Sequence, residues 1–190
     1  MYGSKLRAAI LQVKFNRRDR LGKRLGDLLA ALWLSTKELQ EAELPILIPV
    51  PLHRRREHER GFNQAKLLAQ GLSKKLSETW KRPGPPVDSR SLIRIRATPP
   101  QTGLSVSARH ENMRGVFVVR APERIHDRTA ILVDDVMTTG ATLSACAAAL
   151  KRAGASAVLA ITLARATPQL PDTLSNAPGV PVDDSGVTWA

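Results

Sequence analysis

The sequence is poor in cysteine and in aromatic residues, and it has no long apolar run. Cys146 is the single cysteine, so neither a disulfide nor a zinc site built from several cysteines can form within the chain. It lies in an alanine-rich stretch, which predicts a small, buried side chain. Because no apolar run of transmembrane length occurs, we expect no membrane insertion. The N-terminus lacks the apolar region of a signal peptide, so we expect the cytoplasm.

Acidic residues are also scarce relative to basic ones. The 190 residues include 29 lysines and arginines but only 17 aspartates and glutamates, which gives a net charge of +12. Such an excess favours anionic partners such as phosphates, nucleic acids and anionic lipids. Three tryptophans, three phenylalanines and one tyrosine are few for stacking on nucleic-acid bases.

The most informative stretch runs from Ala130 to Thr142 and reads AILVDDVMTTGAT. Its first four residues are apolar and predict a short buried strand that ends before two aspartates. A turn of small residues follows, and then a helix is predicted from Leu143 to Ala153. The start of a helix offers free N–H groups and the positive end of the helix dipole, so this turn is suited to a phosphate. Gly140 allows a positive φ or a close approach of the backbone to an anion.

The two aspartates limit the kinds of ligand that this stretch could bind. Carboxylates beside a phosphate site repel the anion unless they bind something else, such as sugar hydroxyls or Mg2+ with its waters. The stretch therefore indicates a sugar phosphate with its hydroxyls on Asp134 and Asp135. The alternative is an ordinary buried strand followed by an N-capped helix, with the acids in the loop by coincidence. A Walker A loop is excluded because its GxxxxGK[ST] pattern is absent.

This stretch resembles the motif of type I phosphoribosyltransferases that binds phosphoribosyl pyrophosphate (PRPP). Each position of the pattern, an apolar strand, two aspartates and TTGxT, is matched. The resemblance implies that Asp134 and Asp135 are catalytic and contact the ribose hydroxyls. It implies that Mg2+ is held near them through PRPP and water, with no direct protein ligand. It also implies that the 5′-phosphate is held by Thr138, Thr139, Gly140, Ala141 and Thr142.

A second group of candidate residues follows an apolar strand predicted from Leu44 to Pro51. Residues 52–60 are predicted to form a loop rich in arginine and histidine. In a parallel sheet this loop would lie at the same edge as the two aspartates, where arginine can bind pyrophosphate through paired hydrogen bonds. The alternative is an exposed basic loop. The candidate pyrophosphate ligands are His53, Arg54, Arg55 and Arg60.

Two further patterns resemble the ComF branch of the phosphoribosyltransferase superfamily, which includes GntX-like proteins and is associated with DNA uptake in bacteria. One is PVPLH followed by RGFNQAKLLA, and the other runs from Arg96 to Asn112. In type I phosphoribosyltransferases the latter region is a flexible hood that closes over the site. The resemblance implies that Gln101, Thr102, Arg109 and Asn112 approach the pyrophosphate or the acceptor. From the residues alone, an ordinary hairpin or loop is the alternative.

The predicted elements give an α/β fold. Strands near residues 46, 116, 130 and 157, with helices between most of them, predict a mostly parallel central sheet flanked by helices. We expect an N-terminal helical segment over residues 1–40, a phosphoribosyltransferase domain over 41–167 and a disordered tail over 168–190. Basic residues from Lys14 to Arg24 form either a solvated helix face or a surface for an anionic polymer.

The resemblance implies a PRPP-binding phosphoribosyltransferase of the ComF type, with Mg2+ as cofactor. Its reaction would be transfer of phosphoribosyl to an unknown nitrogen acceptor with release of pyrophosphate. Two other hypotheses stay open on the same fold. One is a non-catalytic competence factor that binds single-stranded DNA or a competence protein, and the other is a regulator that senses PRPP. Many ComF-like proteins begin with a zinc ribbon that has paired cysteines, and with one cysteine this sequence is expected to lack it. Either the chain is a short member of the family or the module is missing from the gene model.

Overall fold

The computed structural model describes residues 19–98, 106–165 and 188–189. Six strands occur in this described part of the chain, and they form two sheets. In chain order they are β1 (Ile46–Pro49), β2 (Leu92–Arg94), β3 (Phe117–Val119), β4 (Thr129–Met137), β5 (Ala157–Arg165) and β6 (Thr188–Trp189).

The larger sheet is parallel, with the strand order β1, β4, β5, β6. Its middle strand β4 is apolar at four consecutive positions because helices cover both of its faces. Ala130 and Leu132 pack into one buried cluster, whereas Ile131 and Val133 pack into another on the opposite face. This arrangement confirms the prediction of an α/β fold with a mostly parallel central sheet.

Helices flank this sheet and join its strands. They are α1 (Asp19–Ser35), α2 (Lys37–Gln40), α3 (Arg54–Arg60), α4 (Gln64–Trp80), α5 (Val106–Met113) and α6 (Ala141–Arg152), with a 3-10 turn at Pro122–Arg124. The cluster against α1 and α4 contains Leu29, Trp33, Leu68 and Leu72. The cluster beside α6 contains Cys146, which is fully buried as its surroundings in the sequence predicted.

Gly26 allows α1 and α4 to approach closely. A Cβ atom built on it would lie 2.6 Å from backbone atoms of Gly71 and Leu72. Real Cβ atoms do not come so near to backbone, so a larger residue at this position would push the two helices apart.

The strand predicted near residue 116 does not join the large sheet. It is β3, and it pairs antiparallel with β2 in a separate two-stranded sheet, with Ile93 opposite Val118. The sequence pattern identified the strand correctly but held no information on its partner, because pairing depends on where the two segments lie in space.

Two local predictions were also wrong in detail. The arginine-rich segment after β1 is helical over Arg54–Arg60, because His53 caps its start and Gly61, with φ 75°, ends it. The strand β4 does not end before the aspartates but continues through them to Met137, since β5 pairs with it that far.

The segment boundaries remain predictions. Residues 1–18 lie outside the described residues, as does the tail apart from Thr188–Trp189, which pairs with β5 at Leu159 and Ala160. No helix in the described part of the chain is both long and apolar enough to cross a membrane.

Candidate functional site

The two aspartates lie near the carboxyl end of β4, and the backbone orients both. Asp134 Oδ1 accepts a hydrogen bond of 2.8 Å from the N–H of Asp135, and Asp135 Oδ1 accepts one of 2.8 Å from the N–H of Val136. Asp134 is half-buried and Asp135 is 5 % exposed. Because a hydrogen bond to the next residue holds one oxygen of each carboxylate, the two side chains present their charges in fixed directions at this sheet edge.

The turn after β4 leads directly into α6. Gly140 is the N-cap residue with φ 78°, and no side chain caps the helix there. The Thr139 hydroxyl is 3.5 Å from the N–H of Ala141, a distance at the limit of a hydrogen bond. The first amides of a 12-residue helix and the positive end of its dipole therefore meet at this turn. That combination is suited to a phosphate.

The five predicted phosphate ligands therefore divide between two elements. Thr138 is exposed, Thr139 is half-buried, and both precede the helix together with the buried Gly140. Ala141 and Thr142 already belong to the first turn of α6, so they contribute N–H groups of a helix start. The sequence predicted that the helix begins two residues later.

The end of β1 lies beside the acidic end of β4. Pro49 pairs with Val133, and the N–H of Val50 donates to the carbonyl of Val133 at 3.0 Å. The segment from Pro51 to His53 therefore starts at the same sheet edge as the aspartates, as the parallel arrangement predicted.

Asn63 holds the end of β1 in place, and the sequence analysis did not identify it. Its Nδ2 donates to the carbonyl of Val50 at 3.0 Å, while its Oδ1 accepts from the N–H of Ala65 at 2.9 Å. One buried side chain thus joins the end of β1 to the start of α4. An asparagine directly before a predicted helix is an N-cap signal that could have identified it.

The predicted pyrophosphate ligands on α3 differ in their partners. His53 Nδ1 accepts from the N–H of Arg55 at 3.4 Å, and Arg55 Nε lies 3.0 Å from Glu59 Oε1. Arg60 donates to Gln64 at 3.3 Å. Arg54 is exposed and lines a cavity together with His53.

Arg56 and Arg94, which the sequence analysis did not single out, lie beside His53. Arg94 of β2 and Arg56 of α3 line a cavity of about 340 Å³, together with His53 and Thr98. Arg94 donates to the Thr98 hydroxyl, and its guanidinium carbon lies 5.7 Å from the centre of the Phe117 ring. Burial lowers the pKa of Arg94 from its usual value, and the positive charge of Arg56 acts in the same direction.

Neither Arg56 nor Arg94 forms an ion pair with a carboxylate in the part of the chain that the structure describes. Two guanidinium groups that repel each other across a cavity are stabilised by an anion between them. The sequence alone did not indicate this pair, because the two residues are 38 positions apart and belong to different elements.

Of the four predicted hood residues, the structure describes the side chain of Asn112. Gln101 and Thr102 lie outside the described residues, and so does the side chain of Arg109. Asn112 is half-buried on α5, and its Nδ2 atom is buried with no hydrogen-bond partner among the described residues. The roles of these four residues stay predictions.

A larger cavity, of about 420 Å³, lies away from this site. Its lining includes Trp33, Trp80, Pro45 and Arg128. Pro45 and Arg128 directly precede β1 and β4, so this cavity is at the amino end of the parallel strands, across the sheet from the aspartates. Ligands of open parallel sheets bind at the carboxyl ends, which favours the edge with the aspartates.

Two comparisons with known proteins show the family of this chain. A model of the phosphoribosyl transferase domain matches residues 60–176, which is more than half of the chain. Competence protein F of Haemophilus influenzae is 33 % identical over 167 residues, covering 87 % of this chain and 70 % of that protein. The chain belongs to the ComF family of type I phosphoribosyltransferases.

Two further relatives of this ComF-family chain support the assignment. DNA utilization protein YhgH of Escherichia coli strain K12 is 38 % identical over 158 residues, covering 83 % of this chain and 66 % of that protein. Competence protein ComFC of Bacillus subtilis is 34 % identical over 122 residues, covering 63 % of this chain and 44 % of that protein. The chain thus spans about two thirds of the length of the E. coli relative.

Asp134 and Asp135 are suited to a Mg2+ ion whose remaining ligands are phosphate oxygens and waters. Mg2+ prefers carboxylate and phosphate oxygens and keeps several waters. Among the described residues no cluster of three histidine, cysteine or acidic side chains forms, so Asp134 and Asp135 would supply two carboxylates at most. Cys146 adds no ligand, because burial raises the pKa of its thiol well above the usual value and the nearby Asp134 raises it further.

Proposed function

We propose that this ComF-family protein binds PRPP and transfers its phosphoribosyl group to a nitrogen acceptor, releasing pyrophosphate. One observation carries the proposal. Two backbone-oriented aspartates lie near the carboxyl end of β4, and a turn with φ 78° at Gly140 then opens directly onto the first amides of α6. A sugar phosphate has hydroxyls that can donate to carboxylates and a phosphate that can accept from the amides of a helix start.

In this proposal the chain binds the two ends of the sugar differently. The N–H groups at the start of α6 and the hydroxyls of Thr138, Thr139 and Thr142 hold the 5′-phosphate. Asp134 and Asp135 accept hydrogen bonds from the ribose hydroxyls. Because both carboxylates are already oriented by the backbone, little side-chain entropy is lost when the sugar binds.

The arginines assist departure of the leaving group. As the bond from C1 to pyrophosphate breaks, negative charge gathers on the pyrophosphate and positive charge on the sugar. Cationic groups already placed near the leaving oxygens stabilise that separation. Arg54, Arg55 and Arg60 supply these groups, and His53 adds a neutral hydrogen-bond donor at Nε2 because its Nδ1 accepts from Arg55. The cavity between Arg56 and Arg94 adds two guanidiniums without acidic partners in the described chain. Bound Mg2+ would neutralise further charge on the leaving group.

Calorimetric titration of PRPP with Mg2+ tests the proposal. The double variant Asp134→Asn, Asp135→Asn should bind PRPP at least tenfold more weakly, since hydrogen bonds to charged groups contribute roughly 1.5–3 kcal/mol each. Asp127→Asn is the matched control, because Asp127 is an exposed acid that pairs with His126 at 2.9 Å, outside the site. Equal affinity of wild type and double variant, or no binding to wild type, contradicts PRPP binding at this site.

A second measurement distinguishes a transferase from a regulator that only senses PRPP. A transferase releases pyrophosphate when PRPP and a suitable acceptor are both present. A PRPP-sensing regulator binds PRPP but releases no pyrophosphate with any member of a panel of nucleobases and amines. Among the described residues no general base is evident beside the aspartates, and none is needed if the acceptor is already nucleophilic at neutral pH.

We further propose that this activity serves DNA uptake or use in the cytoplasm. The printed names of the relatives, DNA utilization protein and Competence protein F, motivate this link. The net charge of +12 favours a second candidate function, binding of single-stranded DNA or of an acidic competence protein. If charge drives DNA binding, the affinity for a single-stranded oligonucleotide falls steeply with salt concentration. A flat salt dependence, or no binding at low salt, contradicts this second candidate.

A further inference from the structure

A second cavity beside the proposed leaving-group site differs from it in chemistry. It has a volume of about 370 Å³ and lies between the segment after β1 and the strand β2. Four consecutive residues of β2 and the position after it, Leu92 to Ile95, line it. Successive side chains of a strand point to opposite faces, so a cavity lined by all four lies along the edge of β2.

That edge of β2 is the one not paired with β3. The N–H of Ile95 donates to the carbonyl of Val116 at 2.9 Å, and the N–H of Arg120 donates to the carbonyl of Ser91 at 2.8 Å. Hydrogen-bonded pairs alternate along an antiparallel ladder, so the N–H and C=O groups of Leu92 and Arg94 point away from β3. The cavity therefore has main-chain donors and acceptors along one wall.

The remaining walls combine apolar side chains with an excess of positive charge. Ile93 and Ile95 provide apolar surface, and Ile95 is 52 % exposed. The charged side chains are Arg54, Arg94 and Arg120 against one acid, Glu57. Neither Arg54 nor Arg120 is ion-paired within the described ranges. Such a lining binds a flat or short organic molecule that carries an acid group.

We propose that this cavity holds the acceptor and that the acceptor is an acid, with a carboxylate or similar group paired to Arg120. The inference rests on the transferase function proposed above. The acceptor's nitrogen lone pair forms the new bond to C1 of PRPP as the bond from C1 to oxygen breaks. The electron pair of that bond leaves on pyrophosphate, and the proton of the nitrogen passes to solvent.

Pyrophosphate itself is the competing occupant of this cavity. The neighbouring cavity contains Arg55 and Arg56 with one acid, Glu59, and has no isoleucine in its lining. The exposed isoleucine surface of the present cavity suits an organic acceptor, because a fully hydrophilic polyanion gains nothing from an apolar wall. The two cavities share Arg94 and His53, so leaving group and acceptor would be adjacent, as a displacement requires.

Orotate and uracil provide a matched pair of probes, because they differ by one carboxylate. The protein is first saturated with Mg2+ and ribose 5-phosphate, which lacks a leaving group and therefore allows no transfer. Calorimetry then measures the affinity for each probe. We expect orotate to bind about ten- to a hundredfold more tightly than uracil, the factor that one charge-assisted hydrogen bond contributes.

The variant Arg120→Gln tests whether the preference for orotate over uracil arises in this cavity. It should bring the orotate-to-uracil ratio close to one while leaving PRPP affinity unchanged. Arg114→Gln is the control, since Arg114 is an equally exposed arginine that pairs with Glu111 and does not line the cavity. Equal binding of the two probes to wild type, binding of neither, or a ratio that survives Arg120→Gln overturns the inference.

Two outcomes distinguish this inference from the function on which it rests. Wild type that binds PRPP but shows no preference for orotate refutes the acidic acceptor alone. Wild type that binds neither PRPP nor ribose 5-phosphate refutes the proposed transferase. If Arg120→Gln weakens the binding of Mg2+-pyrophosphate tenfold or more, the cavity is the leaving-group site and the inference fails.

Discussion

Replacement of Gly140 by alanine tests the turn that opens onto α6. Gly140 has φ 78°, a left-handed conformation that glycine adopts freely. Alanine in this conformation costs about 1–2 kcal/mol, because its Cβ approaches the neighbouring carbonyl oxygen. Alanine also restricts the unfolded chain, which offsets about 0.4–1 kcal/mol of that cost. The expected net loss of stability is therefore about 1 kcal/mol, or about 2–4 °C in Tm for a chain of this size.

The expected effect on PRPP affinity is larger than the effect on stability. A substituted turn relieves its strain by rotating away from positive φ, which turns the first amides of α6 away from the 5′-phosphate. Loss of one hydrogen bond to a charged group costs roughly 1.5–3 kcal/mol, or about ten- to a hundredfold in affinity. Calorimetry of PRPP with Mg2+ measures this change, and thermal unfolding measures the stability cost separately.

Gly115→Ala is the matched control. Gly115 has φ 65°, and a Cβ atom there would meet nothing within 4 Å, so the substitution introduces the same backbone strain without a steric clash. It follows α5 in the chain and is not part of the turn between β4 and α6. We expect a similar fall in Tm for both variants but a loss of PRPP affinity only for Gly140→Ala. Unchanged PRPP affinity in Gly140→Ala, or an equal loss in both variants, would refute the role assigned to the turn.

Three further changes test the structure around the site. Gly26→Ala should lower the free energy of unfolding by about 1–3 kcal/mol in a urea titration, because its Cβ would lie 2.6 Å from the backbone of α4; unchanged stability would contradict the close packing. Asn63→Ala should cost about 1–2 kcal/mol and also weaken PRPP binding, since Asn63 both caps α4 and holds the end of β1; a loss of stability without any change in PRPP affinity would confine Asn63 to a structural role. Burial opposes ionisation of Asp88, but hydrogen bonds from Ser91 and Arg90 and the charge of Arg124 leave its pKa below the usual 3.8. Its stabilising contribution is therefore complete above about pH 4 and is lost as the pH falls through the lowered pKa, so Asp88→Asn should flatten the fall in stability on acidification below pH 4; an identical acid profile for the variant would contradict this.

The prediction of local structure succeeded where one short stretch contained the information. The apolar run of β4, the two aspartates and the glycine turn are consecutive, so their relative positions follow from local geometry. The same holds for Cys146, whose burial follows from the helix around it. The boundaries were less accurate, because the end of β4 depends on β5 and the start of α6 on the conformation of Gly140.

Prediction failed where function depends on segments far apart in the sequence. The strand β3 was assigned to the wrong sheet, because an apolar strand pattern does not specify its partner. The basic segment after β1 was predicted to be a loop, since its charge obscured the capping by His53 and the terminating Gly61. Arg94 was overlooked because nothing in its immediate sequence distinguishes it from other arginines of this basic chain.

The sequence by itself determined the family, the parallel α/β fold and the stretch proposed to bind the sugar phosphate. Each of these was inferred from short motifs whose residues lie within a few positions of one another, where backbone geometry limits the alternatives. Only the tertiary structure decided which cations face a common cavity, that Asn63 holds β1, and that the open edge of β2 lies beside Arg54 and Arg120. These are contacts between separate elements, and they follow from how helices and strands pack against each other.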